Sequence, residues 1–216
     1  MRALRMLCLH GFRGSGSALR AQMRSLVAGL ESELELLYPD AAALSTGGPG
    51  WWNAVPLERN ATDHDSALNT RAKHYEGWPQ TRAWAASFFR DSGPIDGVFG
   101  FSQGAALTGL LVGLRSPSGA PTPEKPLKLD FAIMVGGFVS NDPTHATLYE
   151  PADNFALPTL HLIGRADRIV PREASLALAA RFKDPLVVEH DGGHVIASDP
   201  HSRAAFAEFL RSRAAR

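Results

Sequence analysis

The sequence predicts an α/β fold in which a mainly parallel sheet of about six strands carries helices on both faces. Short apolar runs alternate along the chain with longer segments whose apolar residues recur at helical spacing. Runs of this length suit strands buried on both faces of a parallel sheet, and strand–helix alternation implies crossover connections. The strands are expected at residues 4–9, 34–38, 95–101, 131–135, 159–163 and 186–188.

Helices are expected between and after these strands. Apolar residues at helical spacing follow the first strand, and Ser17 is the expected N-cap residue of that helix. Pro79, Pro171 and Pro200 each stand where a helix begins, a position that tolerates the missing amide proton of proline. In such a sheet, ligands are expected at the carboxyl ends of the strands.

The length of 216 residues fits a single domain, residues 1–216, with a sizeable core. Within it, the apolar residues of the segment 40–76 recur at neither helical nor strand spacing. The segment contains the run Gly47-Gly48-Pro49-Gly50, followed by Trp51-Trp52. A long segment without a period is unusual in a compact domain, and such segments are often functional loops. We therefore expect residues 40–76 to form a loop or lid.

The composition limits the partners and the compartment. Lys+Arg and Asp+Glu are each 22, so the formal net charge is zero, and neither nucleic acid nor an anionic membrane is expected as a partner. Cys8 is the only cysteine, which excludes an intramolecular disulfide and favours a reducing, cytoplasmic location. The apolar run at residues 4–9 is too short for a membrane span. No histidine pair combines a metal-binding spacing with a carboxylate partner, so no metal is expected.

The strongest motif is the pentapeptide Gly100-Phe101-Ser102-Gln103-Gly104, which matches G-x-S-x-G between a predicted strand and a predicted helix. In that setting the serine is a nucleophile on a strained strand-to-helix turn, and the glycines leave space for neighbouring backbone. Amide groups at the helix N-terminus can stabilise a developing oxyanion. The pentapeptide alone also fits a glycine-rich turn with a capping serine, so the interpretation depends on partners elsewhere in the chain.

A serine nucleophile needs a base, and the base needs a carboxylate that fixes its tautomer. His194 follows two glycines after the last strand and is the expected base, with His190 as the chief alternative. Asp167, in the loop after the preceding strand, is the expected acid; Asp191 adjoins His194 and would have difficulty reaching its far nitrogen. The order serine, acid, histidine is that of the α/β-hydrolases.

The oxyanion hole is expected to use two backbone N–H groups, those of Gln103 and Phe12. His10, which precedes the first glycine-rich loop, is expected to be a structural side chain that forms hydrogen bonds within that loop.

Aromatic residues near these loops are candidates for an apolar acyl pocket. Packing in the core or in a lid is an equally good account of each. The substrate-binding candidates are Trp51, Trp52, Phe101 and Phe138.

Four blocks of the chain resemble the FSH family of serine hydrolases. They are residues 7–12, 96–106, 158–164 and 192–194. Carboxylesterases and acyl-protein thioesterases are similar at a greater distance. The resemblance implies a short α/β-hydrolase that begins at the oxyanion strand, with esterase or thioesterase activity and no cofactor. It also assigns Ser102, Asp167 and His194 as the catalytic triad.

The predicted function is therefore hydrolysis of a small-molecule carboxylic ester or thioester through an acyl-enzyme. Two alternatives remain: a non-catalytic ligand-binding module on the same fold, and an amide or peptide hydrolase. The sequence leaves the oligomeric state open.

Overall fold

The computed structural model describes residues 2–41, 43–44, 48–57 and 72–214. Its strands in chain order are β1 (Leu4–Leu9), β2 (Leu34–Leu37), β3 (Ala43–Leu44), β4 (Gly48–Pro49), β5 (Asn53–Pro56), β6 (Lys73–Glu76), β7 (Gly97–Phe101), β8 (Phe131–Val135), β9 (Thr159–Gly164) and β10 (Leu186–His190). Its helices are α1 (Gly16–Val27), α2 (Trp78–Asp91), α3 (Gln103–Gly113), α4 (Arg172–Ala179) and α5 (Pro200–Ala214), with 3-10 turns at Pro143–Tyr149 and Ala152–Ala156.

The central sheet has six strands in the order β10-β9-β8-β7-β1-β2, and each neighbouring pair is parallel. The chain runs from β1 outward to β2 and later returns beside β1 at β7, from which it builds the sheet in the opposite direction. The boundary between β1 and β7 is therefore the topological switch point, where open parallel sheets bind their ligands. All six predicted strands are present.

Helices cover both faces of this sheet, as predicted. One apolar cluster contains residues of α2, α3 and α4, including Ala85, Leu110 and Leu178. The cluster on the other face contains residues of α1 and α5, including Met23 and Phe206. Every residue of α3 is buried, so the helix that follows the G-x-S-x-G motif is held on all sides.

The N-cap of α1 differs from the expectation. Ser15, and not Ser17, is the capping residue, and its hydroxyl accepts a hydrogen bond from the Ala18 N–H at 3.1 Å. The helix begins one residue later at Gly16, where a Cβ atom would lie 2.1 Å from the Tyr38 carbonyl oxygen. The close approach of this backbone requires a glycine at the first helical position, and a pattern of apolar residues does not reveal that contact.

The segment 40–76 contains regular structure where it is described. β3 pairs with β4, and β5 pairs with β6, both antiparallel. Strand β6 is attached to a loop of the main body, since Lys73 N–H donates to the Asn141 carbonyl at 2.9 Å and Tyr75 N–H donates to Asp142 Oδ2 at 2.8 Å. The rest of the predicted loop or lid, residues 42, 45–47 and 58–71, lies outside the described residues.

Within the described part of the chain, none of the helices combines the length and the apolar character that crossing a bilayer requires.

Candidate active site

Ser102 occupies a strained turn between β7 and α3. Its φ is 56° and its ψ is −118°, a backbone conformation that non-glycine residues rarely adopt. A Cβ atom at Gly100 would lie 2.3 Å from the Gly104 carbonyl oxygen, and one at Gly104 would lie 2.1 Å from the Leu9 carbonyl oxygen. Both glycines are therefore required by close backbone contacts, and the turn places the serine at the boundary of β1 and β7.

The Ser102 hydroxyl is not a helix cap. Ser102 is the N-cap residue of α3 by position, but its side chain makes no capping hydrogen bond. The turn is held instead by the backbone, because Ser102 N–H donates to the Val135 carbonyl at 2.9 Å. The side chain is partly exposed between buried neighbours. These observations disfavour the capping interpretation of the motif.

His194 and Asp167 form a close pair. Nδ1 of His194 lies 2.6 Å from Oδ2 of Asp167, and the Asp167 side chain is almost completely buried. The second carboxylate oxygen accepts hydrogen bonds from the N–H groups of Ile169 and Val170, each at 2.9 Å. With Nδ1 donating to the carboxylate, Nε2 of the neutral imidazole is the nitrogen that can accept a proton.

The imidazole of His194 lies beside Phe101 and beside the backbone of Gly136, one on each side of the Ser102 turn. Its ring centroid is 4.8 Å from that of Phe101, the residue before Ser102. On the β8 side, a Cβ atom at Gly136 would lie 3.1 Å from Nδ1 of His194, and Gly136 follows Val135, the acceptor for Ser102 N–H. The three residues expected to form the triad thus occupy adjoining loops at one edge of the sheet.

The alternative residues have other partners. His190 ends β10, and its Nδ1 accepts a hydrogen bond from the Gly192 N–H at 3.1 Å; burial lowers the pKa of this imidazole. Asp191 has a side chain that is 93% exposed and pairs with Arg165 at 2.7 Å. Neither belongs to the His194–Asp167 pair.

The two candidate oxyanion donors flank the nucleophile. The chain at Gly11 passes so close to the serine that a Cβ atom there would lie 3.2 Å from Ser102 Cβ, and Phe12 is the next residue. Gln103 follows the nucleophile at the first position of α3. Within the described part of the chain, neither the Phe12 nor the Gln103 N–H has a hydrogen-bond acceptor.

His10 has the structural role that the sequence predicted. Its Nδ1 lies 2.7 Å from the Gly11 carbonyl oxygen, and its Nε2 accepts a hydrogen bond from the Ala41 N–H at 3.0 Å. Because Nε2 accepts, Nδ1 is the protonated nitrogen and donates to Gly11. The side chain is almost fully buried, so it holds the loop from inside.

The predicted substrate-binding aromatics occupy different environments. Trp51 and Trp52 are each only 1% exposed, so the structure places them in the core and not on the wall of an open pocket. Trp51 packs against Trp84 at 4.9 Å between ring centroids, and Trp52 stacks on Tyr75 at 4.6 Å. This is the packing alternative for both. Phe101 contacts His194, and Phe138 is half-buried after β8.

The side chain of Gln103 has a role that sequence reasoning missed. Its Oε1 accepts a hydrogen bond from Trp51 N–H, and its Nε2 donates to the Trp52 carbonyl, both at 2.9 Å. The sequence gives one indirect signal, the glycine before Trp51. A Cβ atom at Gly50 would lie 2.8 Å from the Phe12 ring and 3.2 Å from Oε1 of Gln103.

The fold belongs to the α/β-hydrolase class. The chain aligns with Zea mays acyl-protein thioesterase 2 at a TM-score of 0.68 and 22% identity, over 99% of this chain and 94% of that one. It aligns with the Bacillus cereus carboxylesterase at a TM-score of 0.58 and 18% identity, over 97% and 89%.

Within that class, the chain belongs to the serine hydrolase (FSH1) family, whose model matches residues 1–205. It is 33% identical to esterase OVCA2 of Xenopus tropicalis over 225 residues, which cover 97% of this chain and 93% of that protein. It is 31% identical to esterase CG5412 of Drosophila melanogaster over 214 residues, or 97% and 74%. The family resemblance seen in the four sequence blocks is confirmed.

Proposed function

We propose that this enzyme cleaves a carboxylic ester or thioester through an acyl-enzyme on Ser102, with His194 as the base and Asp167 as the carboxylate that orients it. The observation that carries the proposal is the hydrogen bond of 2.6 Å between His194 and the buried carboxylate of Asp167, beside the strained turn of Ser102. The esterase names of the relatives support the same reaction class.

In the first step, Oγ of Ser102 attacks the carbonyl carbon while Nε2 of His194 takes the hydroxyl proton. Asp167 stabilises the resulting imidazolium and keeps Nδ1 protonated. The negative charge on the former carbonyl oxygen is stabilised by the N–H groups of Phe12 and Gln103. The tetrahedral intermediate then collapses, and His194 returns the proton to the departing alcohol or thiol.

In the second step, water replaces the leaving group. His194 accepts a proton from the water as its oxygen attacks the acyl carbon, and the same donors hold the second oxyanion. Collapse breaks the bond to Ser102, whose oxygen takes the proton back from His194. The chain's own residues thus perform both steps with a small-molecule substrate. The proposed location is the cytoplasm, which the single cysteine supports.

Covalent labelling tests the proposal directly. A fluorophosphonate probe reacts with an activated serine, so we expect it to label the wild type and to lose all labelling in Ser102→Ala. Ser25→Ala, which removes an exposed hydroxyl on α1, is the control and should label normally. A wild-type protein that does not label, yet binds ester analogues, would instead favour the non-catalytic binding module.

A further inference from the structure

We propose that the Gln103 carboxamide and the Trp51 indole are positioning residues that hold the oxyanion loop, residues 10–14, at a fixed place beside the nucleophile. The inference rests on the proposed function, because it concerns the donors that would stabilise the oxyanion. It assigns side-chain roles to residues whose expected contributions were a backbone donor and a pocket wall.

The first link joins the nucleophile turn to the tryptophan segment. Gln103 is only 6% exposed, and both polar atoms of its side chain are used, Oε1 by the Trp51 N–H and Nε2 by the Trp52 carbonyl. The acceptor and the donor on this one amide match a backbone donor and a backbone acceptor on two consecutive residues, Trp51 and Trp52. The amide therefore has a single favourable orientation, and it holds the backbone at Trp51 and Trp52 against the start of α3.

The second link joins the tryptophan segment to the oxyanion loop. The indole Nε1–H of Trp51 donates to the His10 carbonyl at 2.8 Å, and the ring also lies 5.0 Å from the imidazole of His10. On the other side of Phe12, the Arg13 N–H donates to the Pro49 carbonyl at 2.8 Å. The segment 49–52 thus holds the oxyanion loop both before and after the residue that would donate to the oxyanion.

The consequence concerns the direction of one N–H group. A peptide unit is planar and trans, so the Phe12 N–H points opposite to the Gly11 carbonyl. That carbonyl is held by Nδ1 of His10 at 2.7 Å and by the Gly14 N–H at 3.0 Å. His10 is in turn held through its own carbonyl by Trp51. Loss of the indole N–H would allow His10, and with it the Gly11–Phe12 peptide, to move relative to Ser102.

Trp51→Phe is the decisive variant, because it removes the indole N–H and keeps an aromatic ring in the core. Its matched control is Trp84→Phe, which removes the same group from a ring that packs on the rings of Trp51 and Phe88. Gln103→Met removes both hydrogen bonds of the carboxamide at similar side-chain length. Rates with a p-nitrophenyl ester are expressed per active site, counted by fluorophosphonate titration.

We expect Trp51→Phe and Gln103→Met each to lower kcat by about ten-fold or more with little change in KM, because a displaced donor weakens stabilisation of the transition state more than substrate binding. Affinity for a trifluoromethyl ketone, which forms a tetrahedral adduct on the serine, should fall in parallel. The pH dependence of the remaining activity should be unchanged, since His194 and Asp167 are not touched. Trp84→Phe should keep kcat within about two-fold of the wild type.

Two results would overturn the inference while leaving the proposed function intact. The first is a Trp51→Phe enzyme whose kcat per titrated site equals that of Trp84→Phe. The second is a loss of activity that is explained entirely by fewer titratable sites and a lower Tm, which would indicate a packing role. Failure of the wild type itself to label would reject the proposed function instead.

Discussion

The backbone of Gly193 lies directly on Gly164: a Cβ atom at Gly164 would be 2.4 Å from the Gly193 carbonyl oxygen. Gly164 ends β9, just before the loop that carries Asp167, and Gly193 precedes His194. The Ala166 N–H also donates to the Gly192 carbonyl at 3.1 Å. The acid loop and the histidine loop are thus in direct backbone contact, which brings the carboxylate and the imidazole within hydrogen-bonding distance.

This contact predicts a strong effect of Gly164→Ala. The methyl group would overlap with backbone that has no flexible side chain to move away, so the histidine loop must shift. We expect kcat/KM for a p-nitrophenyl ester to fall by about a hundred-fold, since a displacement of about 1 Å in a catalytic group can have that effect. The Tm should also fall.

Gly193→Ala is the control, because Gly193 is the other glycine in this contact. A Cβ atom at Gly193 would meet only the Ala166 carbonyl oxygen at 3.5 Å, an ordinary van der Waals distance. Gly193→Ala should therefore keep kcat/KM close to that of the wild type. Equal losses in the two variants would show that glycine flexibility in the loops, and not the close contact at Gly164, is what matters.

The buried carboxylate predicts a second effect on activity. In Asp167→Asn the amide nitrogen can donate a hydrogen bond to Nδ1 of His194. This favours the tautomer with a proton on Nε2, which cannot act as the proposed base. We expect kcat to fall by about a thousand-fold or more. Steady-state kinetics and the rate of fluorophosphonate labelling would both measure the loss. Asp191→Asn, at an exposed carboxylate that pairs with Arg165, should label at the wild-type rate; if it were as slow, Asp167 would not be the orienting acid.

The sequence predicted those features that depend on local pattern. The six strands of the sheet were evident because each is a short apolar run, and the strand β7 leads directly into the glycines around Ser102. His194 was preferred to His190 because two glycines precede it, and Asp167 to Asp191 because Asp191 adjoins His194 in sequence. The structure places Nδ1 of His194 2.6 Å from Oδ2 of Asp167. Order along parallel strands is enough to bring such loops together.

Features that depend on contacts between distant segments were not predicted. The backbone of Trp51 and Trp52, whose rings pack in the core, is held by hydrogen bonds to the Gln103 side chain and by the Thr81 hydroxyl, which donates to the Trp51 carbonyl. These partners lie about thirty to fifty residues away. Where apolar residues have no regular spacing, the sequence does not show which side of a segment is buried. A tryptophan that lines a pocket then cannot be distinguished from one that fills the core. The N-cap at Ser15 was also missed, because the pattern of apolar residues does not distinguish Ser15 from Ser17 as the capping residue.

A buried histidine away from the site predicts how stability depends on pH. His161 lies in β9, is 2% exposed and packs against the Phe182 ring at 5.2 Å. Burial penalises its charged form and lowers its pKa from 6.5 to about 3. Between these values the unfolded chain binds a proton that the folded protein does not. The free energy of unfolding should therefore decrease as the pH falls from about 6.5 toward about 3, by up to ~1.4 kcal/mol per pH unit from this group.

Replacing His161 isolates this contribution from the carboxylates that also titrate in acid. The pKa of Asp199 is lowered by hydrogen bonds from Ser202, so the wild type loses stability in acid from that group too. His161→Gln removes the buried titration and keeps a polar group near the Thr159 hydroxyl, which lies 3.2 Å from Nε2 of His161. Urea unfolding at pH 7, 6, 5 and 4 should show a shallower pH dependence in His161→Gln than in the wild type. His201→Gln, at an exposed histidine of α5, should match the wild-type dependence, and parallel curves for His161→Gln and the wild type would contradict the prediction.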